Sequence, residues 1–317
     1  MILYISTAVN ARISIDTVFV GDLNNSADTT GLGSVDYGYH IGTYEITNTQ
    51  YVAFLNAKGA TNPHEIYNIS MTNSSIGGIN RSGSSGSYTY TVKSGFENKP
   101  VNFVSFWSAA RFANWLTNGQ GTGDTESGVY NLNGVSIPVN TDITRDAAAW
   151  SAGGVAIASE DEWYKAAYYS GSDTGADGDG YWLYPTQSNT MSRDQANYDN
   201  SDDDMDYIAG VSDVGSFYSH TSYYGTMDQG GNLNEMLDTI RATNQGYRDM
   251  RGGNYLGQPD LLGSDQTSFG WIDPHIPHYK AGFRLTSLEA IPEPSRAVAL
   301  LGSLTLLIAL VRRGDRQ

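Results

Sequence analysis

None of the 317 residues is a cysteine, and no other feature restricts the fold of this chain as strongly. Without disulfides, its loops must be held by apolar packing, with calcium as the candidate auxiliary. Without a thiol, the chain has no sulfur nucleophile, redox partner or soft-metal ligand. Every mechanism that draws on cysteine chemistry is therefore excluded. The need for holding is real, because 36 Gly, 22 Tyr and only 16% charged residues, with few long helical patterns, describe an irregular, loop-rich domain.

Charge narrows the partners. Eighteen Lys and Arg stand against 34 Asp and Glu, a formal net charge of −16. Such a surface repels phosphate backbones and argues against nucleic-acid binding. Cation binding and extracellular solubility suit it better.

The two ends point to export. Pro292-Glu293-Pro294 is followed by an uncharged apolar run over 297–311 and by Arg312, Arg313 and Arg316. As helix the run would be about 22 Å long, short of the ~30 Å hydrocarbon core but tolerable with snorkelling arginines. The arginines favour a cytoplasmic C-terminus, with the acidic part outside. Together these residues resemble the PEP-CTERM sorting signal of bacteria, at Pro292, Glu293 and Pro294. The resemblance implies export, at least transient membrane anchoring through this helix, and an exosortase-type partner. At the other end, Met1 to Val9 is mildly apolar and Val9-Asn10-Ala11 resembles a small-residue cleavage site. With no basic segment ahead of it, residues 1–13 read as the remnant of a leader, the alternatives being the start of a strand or a disordered N-terminus. The expected organisation is a remnant over 1–13, one domain over 14–288 and a sorting segment over 289–317.

Between the ends, local signals are few but specific. Ser14-Ile-Asp-Thr-Val-Phe-Val20 alternates like a strand, and residues 35–45 form a second strand-like segment. Thr47 with Gln50, and Ser159 with Glu162, are capping boxes, each opening a helix. Ser105 is the cap of another helix, with Phe112, Trp115 and Leu116 on one side. Residues 61–99 read as surface loop with a hairpin near Tyr88 and Tyr90, and most of 171–231 as loop. Two strands are expected at Arg251-Gly-Gly-Asn-Tyr255 and Gly282-Phe-Arg-Leu285. Two or three helices among short strands and long loops make an α+β domain.

In chain order these segments resemble the formylglycine-generating enzyme family, also called the sulfatase-modifying-factor domain. The likeness rests on Phe19-Val-Gly21, Tyr44-Glu-Ile-Thr-Asn48, Pro100-Val-Asn-Phe-Val-Ser-Phe106, and Ser159-Glu-Asp-Glu-Trp163 with Ala166 and Ala167. It continues through Tyr224-Gly-Thr-Met-Asp228, Gly231-Asn-Leu-Asn-Glu235, Arg251-Gly-Gly-Asn254 and Gly282-Phe-Arg-Leu285. It implies a C-type-lectin-like fold that usually carries calcium. Catalytic members hold two reactive cysteines between the last two of these strands, where thiolates bind copper and oxidise a substrate cysteine. Residues 256–281 contain none, so no copper is expected. The family's Arg-Leu-Pro before the third helix is Ala156-Ile-Ala158 here.

The candidate sites follow. The side chains of Asp228 and Glu235 with the carbonyls of Gly231 and Leu233 could wrap one hard cation, and they resemble a family calcium loop. The two acids could equally cap turns. Asn197-Tyr198 resembles the start of a second calcium site, completed by one of Asp202, Asp203, Asp204 or Asp206, or is part of a solvated acidic loop. An EF-hand reading of Asp177-Gly-Asp179-Gly180, with Asp173 in the first position, fails because Tyr184 stands in the twelfth. His275 and His278 lack a third transition-metal ligand nearby. His40, His64 and His220 are isolated, with no motif pairing them with a nucleophilic Ser. Arg251 and Arg284 are expected to hold carboxylates or carbonyls in the core.

The leading expectation is an exported, non-catalytic module whose Tyr-, Asn- and Ser-rich loops bind a polysaccharide or protein. One rival is a cysteine-independent metal oxidoreductase using His275, His278 and a carboxylate. Another is a sulfatase maturation partner, on fold analogy alone.

Overall fold

The computed structural model describes residues 12–171, 178–199, 210–266 and 270–291. Within them the α+β expectation holds: short strands and a few helices are joined by long connections.

Three helices begin where side chains supply the first free N–H groups. α1 (Asn48–Lys58) starts at Thr47, whose hydroxyl accepts from Gln50 N while Gln50 reaches back to Thr47 N. α5 (Glu160–Tyr168) repeats the device with Ser159 and Glu162. α3 (Phe106–Thr117) is capped by Ser105 and buries every residue from Phe106 to Leu116. Two further short helices, α2 (Ser70–Asn73) and α4 (Ala147–Ser151), were not expected; Asp146 caps the latter.

Two four-stranded sheets frame the domain. The first orders β1 (Thr17–Val20), β2 (Tyr39–Gly42), β10 (Leu285–Ser287) and β5 (Ala156–Ile157), all antiparallel. The second orders β8 (Trp271–Ile272), β7 (Arg248–Arg251), β6 (Asn234–Ile240) and β9 (Ala281–Gly282). Only its β6–β9 pair is parallel. The expected hairpin is β3 (Ile79–Ser82) with β4 (Thr89–Val92).

Aromatic packing replaces the missing disulfides. Tyr51 and Phe54 of α1 meet Phe112 and Trp115 of α3, and Phe283 packs edge-on against Phe112. A second cluster joins Val20, Tyr39 and Ile41 to Trp163, Tyr164 and Tyr168 of α5. Rings of this size bury 150–250 Å² each, which lets few contacts hold long loops.

Pro292, Glu293, Pro294, the apolar run after them and residues 1–11 lie outside the described residues, as do Asp202, Asp203, Asp204 and Asp206. Among the described residues no helix is long and apolar enough to cross a membrane.

Candidate functional site

The chain passes from the second sheet to the first through two residues, Phe283 and Arg284, which separate β9 from β10. Arg284 therefore lies where the sheets meet, with no exposed side-chain surface. Its Nε and one terminal nitrogen donate to the two oxygens of Glu235 at 2.5 and 2.6 Å. Its other donations go to the carbonyls of Gly42, Thr43 and Met227. Trp163 adds its indole N–H to Glu235 at 2.8 Å. Burial opposes the charge on Arg284, but Glu235 outweighs it and the guanidinium is held above its ordinary range.

Two more carboxyls crowd this pair. Glu45 accepts from Asn232 Nδ2 at 2.9 Å and from Leu233 N at 3.2 Å. Burial, then Glu235 and Asp228, push its pKa well above the carboxylate range. Asp228 accepts from Gly215 N at 2.6 Å. Burial pushes its pKa up to about 6, against the opposing pull of the Gly215 N–H and Arg284. Three carboxyls thus share one guanidinium.

The segment bearing these groups is bent by left-handed residues at Asp228, Gly231 and Asn232. A Cβ on Gly231 would sit 2.2 Å from Asn197 O, so only glycine fits there. That contact brings the two expected cation segments together. Asn197 O accepts from Asn232 N at 2.8 Å, and the Asn197 amide donates to Gly210 O at 3.0 Å. The Tyr198 side chain turns elsewhere and packs with Ala196 and Leu262.

As a calcium cage the arrangement fits in part. Asp228, Gly231 and Leu233 lie on one tightly turned segment, but both Glu235 oxygens are already taken by three N–H donors. An ion there would have to compete with Arg284. Among the described residues no group of three or more His, Asp or Glu is placed to hold a metal ion. His275 is likewise committed: Nδ1 lies 2.7 Å from Asp273 Oδ1, and Nε2 3.1 Å from Pro138 O. His278 Nδ1 accepts from Lys280 N at 3.2 Å.

The first part of the stretch between β7 and β9 packs inward at Leu262. Left-handed Gly252 and Gly253 lead into a 3₁₀ turn, Pro259–Leu262, whose Leu262 is fully buried against Ala196 and Tyr198. Tyr168 Oη donates to the Leu262 carbonyl at 3.0 Å, fixing the turn from below. Two adjoining clefts of about 270 and 210 Å³ flank the region and share Thr30. The larger is edged by the ion pairs Arg241–Asp249 and Arg251–Glu160, each 2.8 Å. The smaller is edged by Asp28, Asp179, Asp265 and Tyr181.

Residues 31–287 match the family model of the sulfatase-modifying factor enzyme 1-like domain. The chain belongs to this family. Solved structures agree on the fold. Variable protein 1 of Treponema denticola is 18% identical with a TM-score of 0.52, over 86% of this chain and 95% of that one. The protein CarF is 22% identical with a TM-score of 0.52, over 86% of this chain and 98% of its own. No curated protein matches the chain.

Within this family scaffold one residue escaped the sequence reading. Where the resemblance leads one to expect an arginine before helix α5, Ala156-Ile-Ala158 stands, yet a guanidinium is present. Arg145 reaches in from a loop, pairs with both oxygens of Glu162 at 2.9 and 2.7 Å, and binds Asp238 at 2.6 Å. It also donates to Ile157 O and lies over the Trp150 ring. The only signal available was a lone Arg beside the α4 cap, Asp146, which no local pattern singles out.

Proposed function

We propose that this member of the sulfatase-modifying-factor family is an exported, surface-associated module that binds or scaffolds, and does not perform thiol-based oxidation. One observation carries the reading. The scaffold is intact around Arg284 and Glu235, while the stretch between β7 and β9 has no cysteine and buries Leu262 instead. Without thiolates there is no soft-ligand pair to hold cuprous ion.

The sorting signal at Pro292, Glu293 and Pro294 supports export, an exosortase-type partner and anchoring through the C-terminal segment. The ligand in this reading is a polysaccharide or a neighbouring protein. The two polar clefts that share Thr30 support that class, since their charged and hydroxyl groups suit hydrogen-bonding ligands. Calcium at Asp228, Gly231, Leu233 and Glu235, with Asn197 and Tyr198 beside it, belongs to the same proposal. The excess of carboxyls around one guanidinium supports it.

Co-expression with a sulfatase, followed by mass measurement of the target cysteine, tests the catalytic half; no conversion to aldehyde is expected. Conversion by purified protein overturns the reading. Glycan arrays and pull-downs with the purified domain test the binding half, and an empty result in both counts against it.

A further inference from the structure

Folding joins two residues that lie 72 positions apart. Ser136 Oγ and His64 Nδ1 are 3.0 Å apart, at the rim of a cavity of about 260 Å³ on a different set of elements from the clefts above. The far nitrogen of His64 faces Glu126 Oε1 at 3.7 Å. With the ring hydrogen on the side facing that carboxylate, Nδ1 is left to accept the serine hydroxyl proton.

Both partners are held in place. Arg111, fully buried, clamps Glu126 through two bonds and donates to Val135 O, while Gly134 N donates to Glu126. The serine loop is pinned at its other side by His275 against Pro138 O. His64 stands at φ 53° between Asn62 at 53° and Glu65 at 55°, and three left-handed non-glycine residues in so short a stretch are costly. Asn62 braces that turn through reciprocal bonds with the Tyr67 backbone. Burial, then Arg111, holds the His64 pKa below the usual range, so the ring is a neutral base at pH 7.

The start of the 12-residue helix α3 also lines the cavity, through its cap Ser105 and through Trp107 in its first turn. The Trp107 indole N–H is buried and has no hydrogen-bond partner among the described residues. Beside these polar groups, Ile137, 68% exposed, and Pro277 give the cavity one apolar edge.

We propose that Ser136 and His64 form a nucleophile–base pair that hydrolyses carboxylic esters carrying an apolar group. Ser136 Oγ bonds to the ester carbonyl carbon as its proton passes to His64 Nδ1. The Trp107 indole N–H, on a residue that lines the cavity and without a partner of its own, is the donor for the oxyanion. The carbon–alkoxy bond breaks and the leaving oxygen takes the proton from His64. Water then attacks the acyl-serine, again through His64, and releases the acid and free Ser136. No oxidant or reductant is needed.

A fluorophosphonate probe on the full chain, read by intact mass and peptide mapping, tests this directly. One adduct is expected, on Ser136. It vanishes in Ser136→Ala, a change at an exposed position that leaves the melting temperature unaltered. In His64→Asn, where asparagine tolerates the left-handed backbone, labelling and p-nitrophenyl acetate hydrolysis fall about 100-fold or more. No adduct, an adduct only on another serine, or undiminished labelling in His64→Asn overturns the proposal. None of these results bears on the sulfatase experiment, so the two readings stand or fall separately.

Discussion

Arg284 and Glu235 form a two-pronged ion pair at the junction of the two sheets, with both side chains essentially removed from solvent. Its position explains why so few strands suffice. The two-residue step from β9 to β10 cannot shift without breaking the pair, so the sheets are locked in mutual register.

Removing one partner leaves the other charged and buried, which is far more damaging than losing an exposed pair. Glu235→Gln is expected to cost about 3–5 kcal/mol, because Arg284 then faces a neutral amide. Urea unfolding of the two proteins measures it. A loss below about 1 kcal/mol would mean that the pair does not govern stability.

Asp228 gives a pH prediction with a definite sign. Its folded pKa of about 6 stands above the ordinary 3.8, so the folded state holds the proton more tightly. The associated stability is present below the unfolded value and is lost as pH rises through about 6. Asp228→Asn, which keeps an acceptor for Gly215 N–H, should therefore gain about 3 kcal/mol at pH 7 in chelator. It should also flatten the decline across that window. In millimolar calcium the proposed ion needs the carboxylate, and the order of the two melting temperatures reverses. An unreversed order removes calcium from Asp228.

The helix caps supply a third check. Thr47→Ala and Ser159→Ala each remove one arm of a capping box and should cost about 1 kcal/mol. The second is the more informative. Glu162, its reciprocal partner, also binds Arg145, so loosening the cap loosens that buried pair as well. Thermal unfolding should show the larger loss for Ser159→Ala, and equal losses would uncouple the cap from Arg145.

Arg145 itself is the fourth. Arg145→Met keeps the stem over Trp150 but strands Glu162 and Asp238, with an expected loss of about 3–5 kcal/mol. Lowering the pH should narrow the gap to wild type, because the Glu162 carboxyl, which Arg145 holds below its usual range despite burial, can then be protonated. A gap independent of pH would assign the loss to packing.

These residues also show what could be read without a structure. Thr47, Ser105 and Ser159 announced their helices because a cap is local: the hydroxyl and the N–H it serves are three positions apart. The order of the family-like segments led from the sequence to the α+β fold. The strand β6 was missed because its buried Glu235 breaks the apolar alternation that marks a strand, and only Arg284, 49 positions later, makes that burial tolerable. Residues 35–45 shrank to β2 because only Tyr39–Gly42 find ladder partners on β1 and β10.

By itself the sequence determined the chemistry this chain cannot do, since no fold supplies a thiol that the chain lacks. It also determined where α1, α3 and α5 start, through contacts spanning one turn. Tertiary structure alone decided which carboxylates meet which guanidinium, that Asn197 lies against Gly231, and that His64 faces Ser136. Those are encounters between residues far apart in the chain, fixed by the packing of whole elements and carrying no signature in the residues around either partner.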